Sequence, residues 1–516
     1  MTSPFGRRSV LWCSVLLVVG IAPMASAQAQ QSLAAIRARY ETAKVAARPA
    51  EAVRPQIEAL DRQLKDAVRL GRTGEARRLL AKGLTLLAGR EWTDEDDYDE
   101  SIVLRADRVF IDTSAPYRVR LEQYYAPEIT LPEPLTGRVV LRPLLAQSPL
   151  QPERYDLRTL DDVPRDLGES PLAMEFDLSG IPDGPYVLEL DVQDAGELLG
   201  SAALLVWLLK GLDARVRELE SAAASAPEPL RGDIRYPGDM VRKIDRGLAD
   251  MGRFDLVKEL DAAAAVAGAA ASKTDPFEGK RGVIERHYVL AAAGEILPYR
   301  VHVPEAYTGR ESWPLIVALH GRGVNEASLI DDYLRRLPAL ADEHGYLVVA
   351  PLGYRVDGFY GAGVDEHTDA ETRRVRDLSE RDVMAVVARM QRDYRVDERR
   401  VFLMGHSMGA VGAWHLAMAH PDLWAGAAAF AGSGFANGIA RLRPVPQFVV
   451  HGARDATAPV GPVRTLVAEM KRLGVDVTYV EVPTGTHQDI VVPNLAAMFE
   501  FFDAHGKGAQ PSRPRR

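Results

Sequence analysis

The run Pro314-Leu315-Ile316-Val317-Ala318-Leu319 contains no polar side chain. A β-strand of this composition must be buried on both faces, because successive side chains point to opposite sides. Comparable runs return at Tyr346–Ala350, Val401–Met404, Ala425–Phe430, Gln447–Val450 and Val477–Val482. Helical stretches separate them, among them Leu329–His344, Glu380–Arg392 and Val463–Leu473. Two further strands, Val283–Leu290 and Leu297–Val303, come before the series. Alternation of this kind predicts an α/β fold, a doubly wound and mostly parallel sheet with helices on both sides. Residues 282–505 are assigned to it.

The preceding part of the chain follows other periods. Residues 32–92 read as a helical hairpin region, with Ile57, Leu60, Leu64 and Val68 at helical spacing and a break at Gly71-Arg72-Thr73-Gly74. Over 100–208 the period becomes two: Tyr117, Val119 and Leu121 alternate with Arg118, Arg120 and Glu122, and Tyr186, Leu188, Leu190 and Val192 with Val187, Glu189 and Asp191. Short alternating runs separated by Pro, Gly and Asp predict an antiparallel β-sandwich. Residues 211–270 read as a second helical region, and the Ala-rich stretch that ends in Ser272-Lys273-Thr274-Asp275-Pro276 reads as a connector.

The N-terminus has the three parts of an export signal. Arg7 and Arg8 supply positive charge, Val10–Ala22 is apolar, and Ala25-Ser26-Ala27 supplies small residues for cleavage after Ala27. Residues 1–27 are therefore expected to be removed, which places the protein in the periplasm or outside the cell with no remaining membrane span. Arg7-Arg8 is also a partial match to a twin-arginine signal. The sole cysteine, Cys13, lies in this segment, so a disulfide framework, a cysteine zinc site and a cysteine nucleophile are excluded from the mature chain. With 63 Lys+Arg against 72 Asp+Glu, the net charge of −9 argues against nucleic acid as a partner. The Arg-rich end, within 506–516, is expected to be a disordered tail.

Chemistry concentrates at strand ends. Val401–Met404 leads into Gly405-His406-Ser407-Met408-Gly409 and then a helix, the strand–turn–helix setting in which a serine projects from a tight elbow. A serine hydroxyl needs a neighbouring base to attack at neutral pH. His487, in Thr484-Gly485-Thr486-His487 after the last strand, is the candidate, while His320, His406 and His451 each sit beside a glycine at a strand end and read as packing or loop-shaping residues. The acid that orients the imidazole is assigned to Asp455, at the end of the strand Phe448–Val450. Asp489 is the weaker candidate, and capping the helix after Pro459 is the other reading of Asp455. An oxyanion needs fixed donors. The Met408 N–H is one, and the second is assigned to the Arg322 N–H, with Gly321 as the alternative. The Arg322 side chain reads equally as a contact for an anionic group and as a surface residue. No pair of histidines has metal-ligand spacing, so neither a metal nor another cofactor is expected.

Taken together, Leu319-His320-Gly321-Arg322-Gly323, Gly405-His406-Ser407-Met408-Gly409, Val450-His451-Gly452-Ala453-Arg454-Asp455 and Gly485-Thr486-His487 resemble the α/β-hydrolase superfamily. The likeness is to secreted serine esterases of the feruloyl-esterase and polyhydroxybutyrate-depolymerase-like group, and the catalytic domains of prolyl oligopeptidases and dienelactone hydrolases are similar too. The order Ser407, Asp455, His487 is that of the superfamily. The resemblance implies a carboxylic ester hydrolase that acts through an acyl-enzyme on a small-molecule or polysaccharide-linked ester. It also implies that Gly358-Phe359-Tyr360-Gly361 is a substrate-side loop, with Phe359 and Tyr360 either lining an acyl or aryl pocket or anchoring the loop. Asp183-Gly184-Pro185-Tyr186 resembles the tyrosine corner of immunoglobulin-like domains, which implies an Ig-like accessory fold for 100–208. A serine peptidase of the prolyl-oligopeptidase type is the alternative function, and a binding protein on an inactive hydrolase fold is the third. Prolyl oligopeptidases carry a propeller, whose repeated blade pattern is absent from this sequence.

Overall fold

The computed structural model describes residues 33–47, 53–129, 135–144, 152–249, 251–433 and 438–506. The predicted signal 1–27, with Cys13, and the tail from 507 lie outside the described residues. The chain divides into two compact units. One runs to Glu220 and includes Pro237–Ala262; the other comprises Ser221–Tyr236 and the chain from Ala263 onward.

The first unit opens with helices α1 (Leu33–Ala47), α2 (Arg54–Arg69) and α3 (Thr73–Leu87), which share a core of Ile36, Tyr40, Ile57, Leu60, Leu64, Ala67 and Leu80. The buried stripe of α2 continues from Leu64 to Ala67 instead of Val68, which is exposed. Both spacings are helical, and the smaller side chain occupies the crowded side. Helix α4 (Asp94–Ser101) starts with a reciprocal cap between Thr93 and Asp96. Eight strands follow: β1 (Ile102–Ala106), β2 (Phe110–Ile111), β3 (Tyr117–Gln123), β4 (Leu135–Pro143), β5 (Tyr155–Val163), β6 (Leu172–Phe176), β7 (Gly184–Asp194) and β8 (Glu197–Leu208). They form an antiparallel sheet in the order β1-β3-β6 and a five-stranded sheet in the order β2-β8-β7-β4-β5, in which β2 pairs parallel to β8. Tyr117, Val119 and Leu121 of β3 are buried, as are Tyr186, Leu188, Leu190 and Val192 of β7. The Tyr186 hydroxyl donates to the Pro182 carbonyl at 2.8 Å.

Helices α5 (Leu212–Ser225), α6 (Glu228–Asp245) and α7 (Leu256–Ala271) precede the second sheet. Its elements are β9 (Gly282–Leu290), β10 (Glu295–Val303), β11 (Trp313–Leu319), α8 (Ser328–Asp331), α9 (Arg336–His344), β12 (Leu347–Pro351), α10 (Ala370–Asp393), β13 (Val396–His406), α11 (Met408–Ala419), β14 (Gly426–Phe430), β15 (Gln447–Gly452), α12 (Val460–Arg472), β16 (Val477–Val482) and α13 (Val491–Ala504). The strand order is β16-β15-β14-β13-β11-β12-β10-β9. The six strands from β11 to β16 are parallel, while β10 and β9 continue the sheet antiparallel. This is the α/β architecture that the two-sided apolar runs demand. Leu315, Val317 and Leu319 of β11 face α10, α11 and α12, in a core with Val386, Trp414 and Leu466. Ile316 and Ala318 face α9 and α13, in a core with Leu340, Phe499 and Phe502. Phe502 stacks on Phe402 with ring centroids 4.4 Å apart. Strand β11 lies between β12 and β13, where the winding reverses, and that reversal opens a crevice at the carboxyl ends of the strands.

One boundary departs from the sequence reading, which kept 211–270 apart from the α/β region. Ser221–Tyr236 belongs to the same unit as the large sheet. The reason is a buried carboxylate. Asp233 Oδ1 accepts the His287 N–H at 2.7 Å, and Oδ2 accepts Arg286 Nε at 3.0 Å. The Tyr236 ring stacks on His287 at 3.6 Å. Burial opposes charge on His287, but hydrogen bonds and charge from Asp233 and Glu285 outweigh it and raise its pKa to about 9. The ordinary value is ~6.5, so this stabilisation is complete below about pH 6.5 and is lost as pH rises through the folded value. Asp233→Asn should therefore cost ~3–5 kcal/mol at pH 6.5, because two buried cations lose their counter-charge. It should also flatten the fall in stability between pH 6.5 and 9. Urea unfolding of both proteins at the two pH values checks this, and parallel slopes would contradict it.

Candidate active site

The elbow is built by sterics. Ser407 has φ 55° and ψ −114°, a left-handed backbone that costs a residue with a Cβ ~1–2 kcal/mol. The turn closes because its flanks are glycines: a Cβ on Gly405 would strike the Gly409 carbonyl, and one on Gly409 would strike the Leu319 carbonyl. The Ser407 N–H donates to the Phe430 carbonyl at 2.8 Å, tying the elbow to the end of β14. Helix α11 starts immediately afterwards, so the Met408 N–H is at the positive end of its dipole.

His487 arrives from the loop after β16. Its Nε2 lies 2.9 Å from Ser407 Oγ, and its Nδ1 lies 2.7 Å from Asp455 Oδ2. The Asp455 side chain has no solvent exposure. Burial raises its pKa, but the Ala458 N–H, His487 and the Thr457 N–H outweigh this and hold it below the usual carboxylate range. The carboxylate therefore stays ionised. Asp489 is occupied elsewhere, accepting the Thr486 N–H at 2.7 Å. Helix α12 begins only at Val460, and Asp455 Oδ1 instead closes the turn before it by accepting the Thr457 and Ala458 N–H groups. His451 reinforces that turn, donating through Nε2 to the Ala458 carbonyl at 2.8 Å.

The loop after β11 borders the elbow. A Cβ on Gly321 would lie 3.6 Å from Ser407 Cβ. His320 is buried, with Nδ1 2.7 Å from the Gly321 carbonyl and Nε2 2.7 Å from the Leu352 carbonyl. Burial pushes its pKa below the usual histidine value, although both carbonyls favour the charged ring. In a trans peptide the carbonyl and the following N–H point in opposite directions. With the Gly321 carbonyl held by the His320 ring, the Arg322 N–H points away from that ring. The Gly323 N–H is taken by the Val356 carbonyl at 2.9 Å. The Arg322 side chain is exposed.

Tyr360 does not line an open pocket. It is fully buried, its hydroxyl donates to the His320 carbonyl at 3.2 Å, and its N–H donates to Ser379 Oγ at 3.0 Å. It braces the His320–Gly321 loop from within, which is the anchoring alternative of the sequence reading. Phe359 is half-buried, with the Arg376 guanidinium 4.0 Å from its ring centroid. His406 and Tyr333 were not among the assigned site residues. His406 Nε2 lies 2.9 Å from the His487 carbonyl, and burial lowers its pKa to about 4, so it donates as a neutral ring. The Tyr333 hydroxyl reaches His406 Nδ1 at 3.2 Å and Gln488 Oε1 at 3.1 Å. The place of His406 inside the elbow motif was a signal for the first; nothing local marks Tyr333.

The hydroxyl, imidazole and carboxylate stand in one hydrogen-bonded line beside a helix N-terminus, an arrangement able to activate a hydroxyl toward a carbonyl carbon. Residues 291–452 match the family described as "Putative esterase". The C-terminal unit thus carries a match to an esterase family. Among curated relatives, the chain is 30% identical over 194 residues to the putative esterase NocK of Nocardia uniformis subsp. tsuyamanensis, covering 36% of this chain and 53% of that protein. It is 28% identical over 142 residues to the bifunctional acetylxylan esterase/xylanase XynS20E of Neocallimastix patriciarum, covering 28% of this chain and 19% of that protein. The chain thus spans about half of one relative and a fifth of the other. Among solved structures, the chain is similar to the ferulic acid esterase AmCE1/Fae1A of Anaeromyces mucronatus, at 19% identity and a TM-score of 0.36, covering 44% of this chain and 92% of that one. A thermostable esterase aligns over 79% of this chain and all of its own, at 16% identity and a TM-score of 0.37.

The two aspartates near His487 should separate cleanly in a hydrolysis assay. Asp455→Asn is expected to lower kcat by ~10³–10⁴, because the imidazole loses the partner that sets its tautomer. Asp489→Asn should keep most of the activity, since an amide oxygen still accepts the Thr486 N–H. Steady-state kinetics with p-nitrophenyl acetate read both outcomes, and a dead Asp489→Asn beside an active Asp455→Asn would reverse the assignment.

Proposed function

We propose that this protein is an exported serine esterase whose Ser407, His487 and Asp455 hydrolyse a carboxylic ester through an acyl-enzyme. The observation that carries this reading is the continuous hydrogen-bonded line from Ser407 Oγ through His487 to Asp455, at 2.9 Å and 2.7 Å. Ser407 Oγ attacks the ester carbonyl while His487 Nε2 takes the hydroxyl proton. The Met408 N–H and the Arg322 N–H bind the oxyanion, with the Gly321 N–H as the alternative donor. The tetrahedral intermediate collapses, the carbon–oxygen bond to the alcohol breaks, and the alcohol leaves with the proton from His487. A water molecule then gives its proton to His487 and attacks the acyl carbonyl, and the acid departs as Ser407 recovers its proton.

The substrate is a small-molecule or polysaccharide-linked ester. The match of residues 291–452 to the esterase family and the acetylxylan esterase among the relatives support that class. Export follows from residues 1–27, and no helix among the described residues is long and apolar enough to cross a membrane. The two sheets of the first unit serve as an Ig-like accessory region, a reading supported by the Tyr186–Pro182 hydrogen bond. Their three and five strands are unlike the repeated four-stranded blades of a propeller, which favours the esterase over a prolyl-oligopeptidase-type peptidase.

A fluorophosphonate probe should label the wild-type protein and spare Ser407→Ala, and the same variant should lose several orders of magnitude of p-nitrophenyl acetate hydrolysis. Labelling that persists in Ser407→Ala would overturn the nucleophile. Cleavage of a proline-containing peptide in preference to the ester would overturn the substrate class.

A further inference from the structure

Three consecutive residues in the connection from β11 to β12 have left-handed backbones: Tyr333 at φ 50°, Leu334 at 58° and Arg335 at 52°. None is a glycine, and each carries a Cβ that disfavours this conformation. Strain of this kind persists where the surrounding structure over-determines it, and it gathers at binding sites. The first of the three, Tyr333, touches the neighbours of both Ser407 and His487, through His406 Nδ1 at 3.2 Å and Gln488 Oε1 at 3.1 Å. The second, Leu334, is 89% exposed. The turn therefore holds a leucine in solvent one residue from the wall of the site.

Leu334 has companions. Among the described residues of this unit, the exposed large aliphatic side chains are Leu334, Val356 and Val364. All three lie in connections that leave the carboxyl ends of β11 and β12, the edge of the sheet at which Ser407 sits. Val356 is also joined to the loop after β11, through the bond from the Gly323 N–H to its carbonyl. Exposed aliphatic residues scattered over a surface need no explanation, but confinement to one end of the sheet beside a polar reactive line does.

Resting on the esterase reading above, we propose that the Tyr333–Arg335 turn is a specificity device in which Leu334 contacts an apolar acyl group of several carbons. Tyr333 anchors the turn to the elbow and to the His487 loop, and the left-handed backbone presents Leu334 where a polar residue would otherwise be the cheaper choice. An ester with a larger apolar acyl group gains burial against Leu334 that an acetate ester cannot reach.

The test uses the full-length protein and the ratio of kcat/KM for p-nitrophenyl octanoate to that for p-nitrophenyl acetate. Leu334→Asn removes the apolar contact and suits a positive φ, so it should fold at least as well as the wild type. It should lower the ratio at least ~5-fold, mainly through KM for the octanoate. Leu334→Met, which restores an apolar side chain, should recover most of the ratio. An unchanged ratio in Leu334→Asn, or an equal fall in Leu334→Met, would overturn the inference while leaving the esterase reading intact. A wild-type protein that cleaves neither ester and resists the fluorophosphonate would overturn both.

Discussion

Helix α11 seats against the end of β11 with no side chain between them, and the arrangement of the site depends on that contact. Strands β11 and β13 are parallel neighbours with Leu319 opposite Gly405. Two residues further on, the first leads to Gly321 and the second to Ser407, so a loop with N–H groups and a projecting hydroxyl arrive side by side. The absence of a Cβ at Gly409 lets the helix close on the Leu319 carbonyl. The strain at Ser407, of ~1–2 kcal/mol, is small beside the burial of Ala410, Ala413, Trp414 and Leu416 on the sheet. The helix core thus holds the serine in a conformation that its own backbone resists.

Around that elbow the structure separates charge from neutrality. Asp455 is buried and ionised, held by two backbone N–H groups and by His487. His406 is buried and neutral because desolvation dominates, and it spends its Nε2 proton on the His487 carbonyl. A second carboxylate, Asp489, stays close in sequence but serves the backbone of the same loop. The loop carrying His487 is therefore fixed through its main chain at Thr486 and at the His487 carbonyl, which leaves the imidazole to face Ser407 and Asp455.

The same logic recurs at the far edge of the sheet. Asp233 of α6 compensates Arg286 and His287 on the edge strand β9, and that buried ion set makes a short helical segment part of the α/β unit. Covering an edge strand in this way also removes a template for intermolecular pairing. Of the three points at which the chain passes from one unit to the other, the one between Tyr236 and Pro237 falls inside helix α6, which lacks one backbone donor at Pro237.

Much of this was legible in the sequence, for reasons of short range. Unbroken apolar runs can only be strands buried twice, and β11 divides its side chains between two cores as such a run must. The glycines flanking Ser407 are demanded by contacts within a few residues and by the neighbouring strand, so the elbow could be read locally. Period-two alternation marked β3 and β7 in the same way. What the tertiary structure alone decided are pairings between distant positions. The partner of His487 is the carboxylate 32 positions away and not the one two positions away. Tyr360 is an interior brace because its hydroxyl meets a carbonyl 40 positions earlier, and Tyr333 reaches a residue 155 positions later. Local patterns follow from backbone sterics and burial, which neighbouring residues determine; these longer pairings follow from strand order and loop path, which emerge only when the sheet has closed.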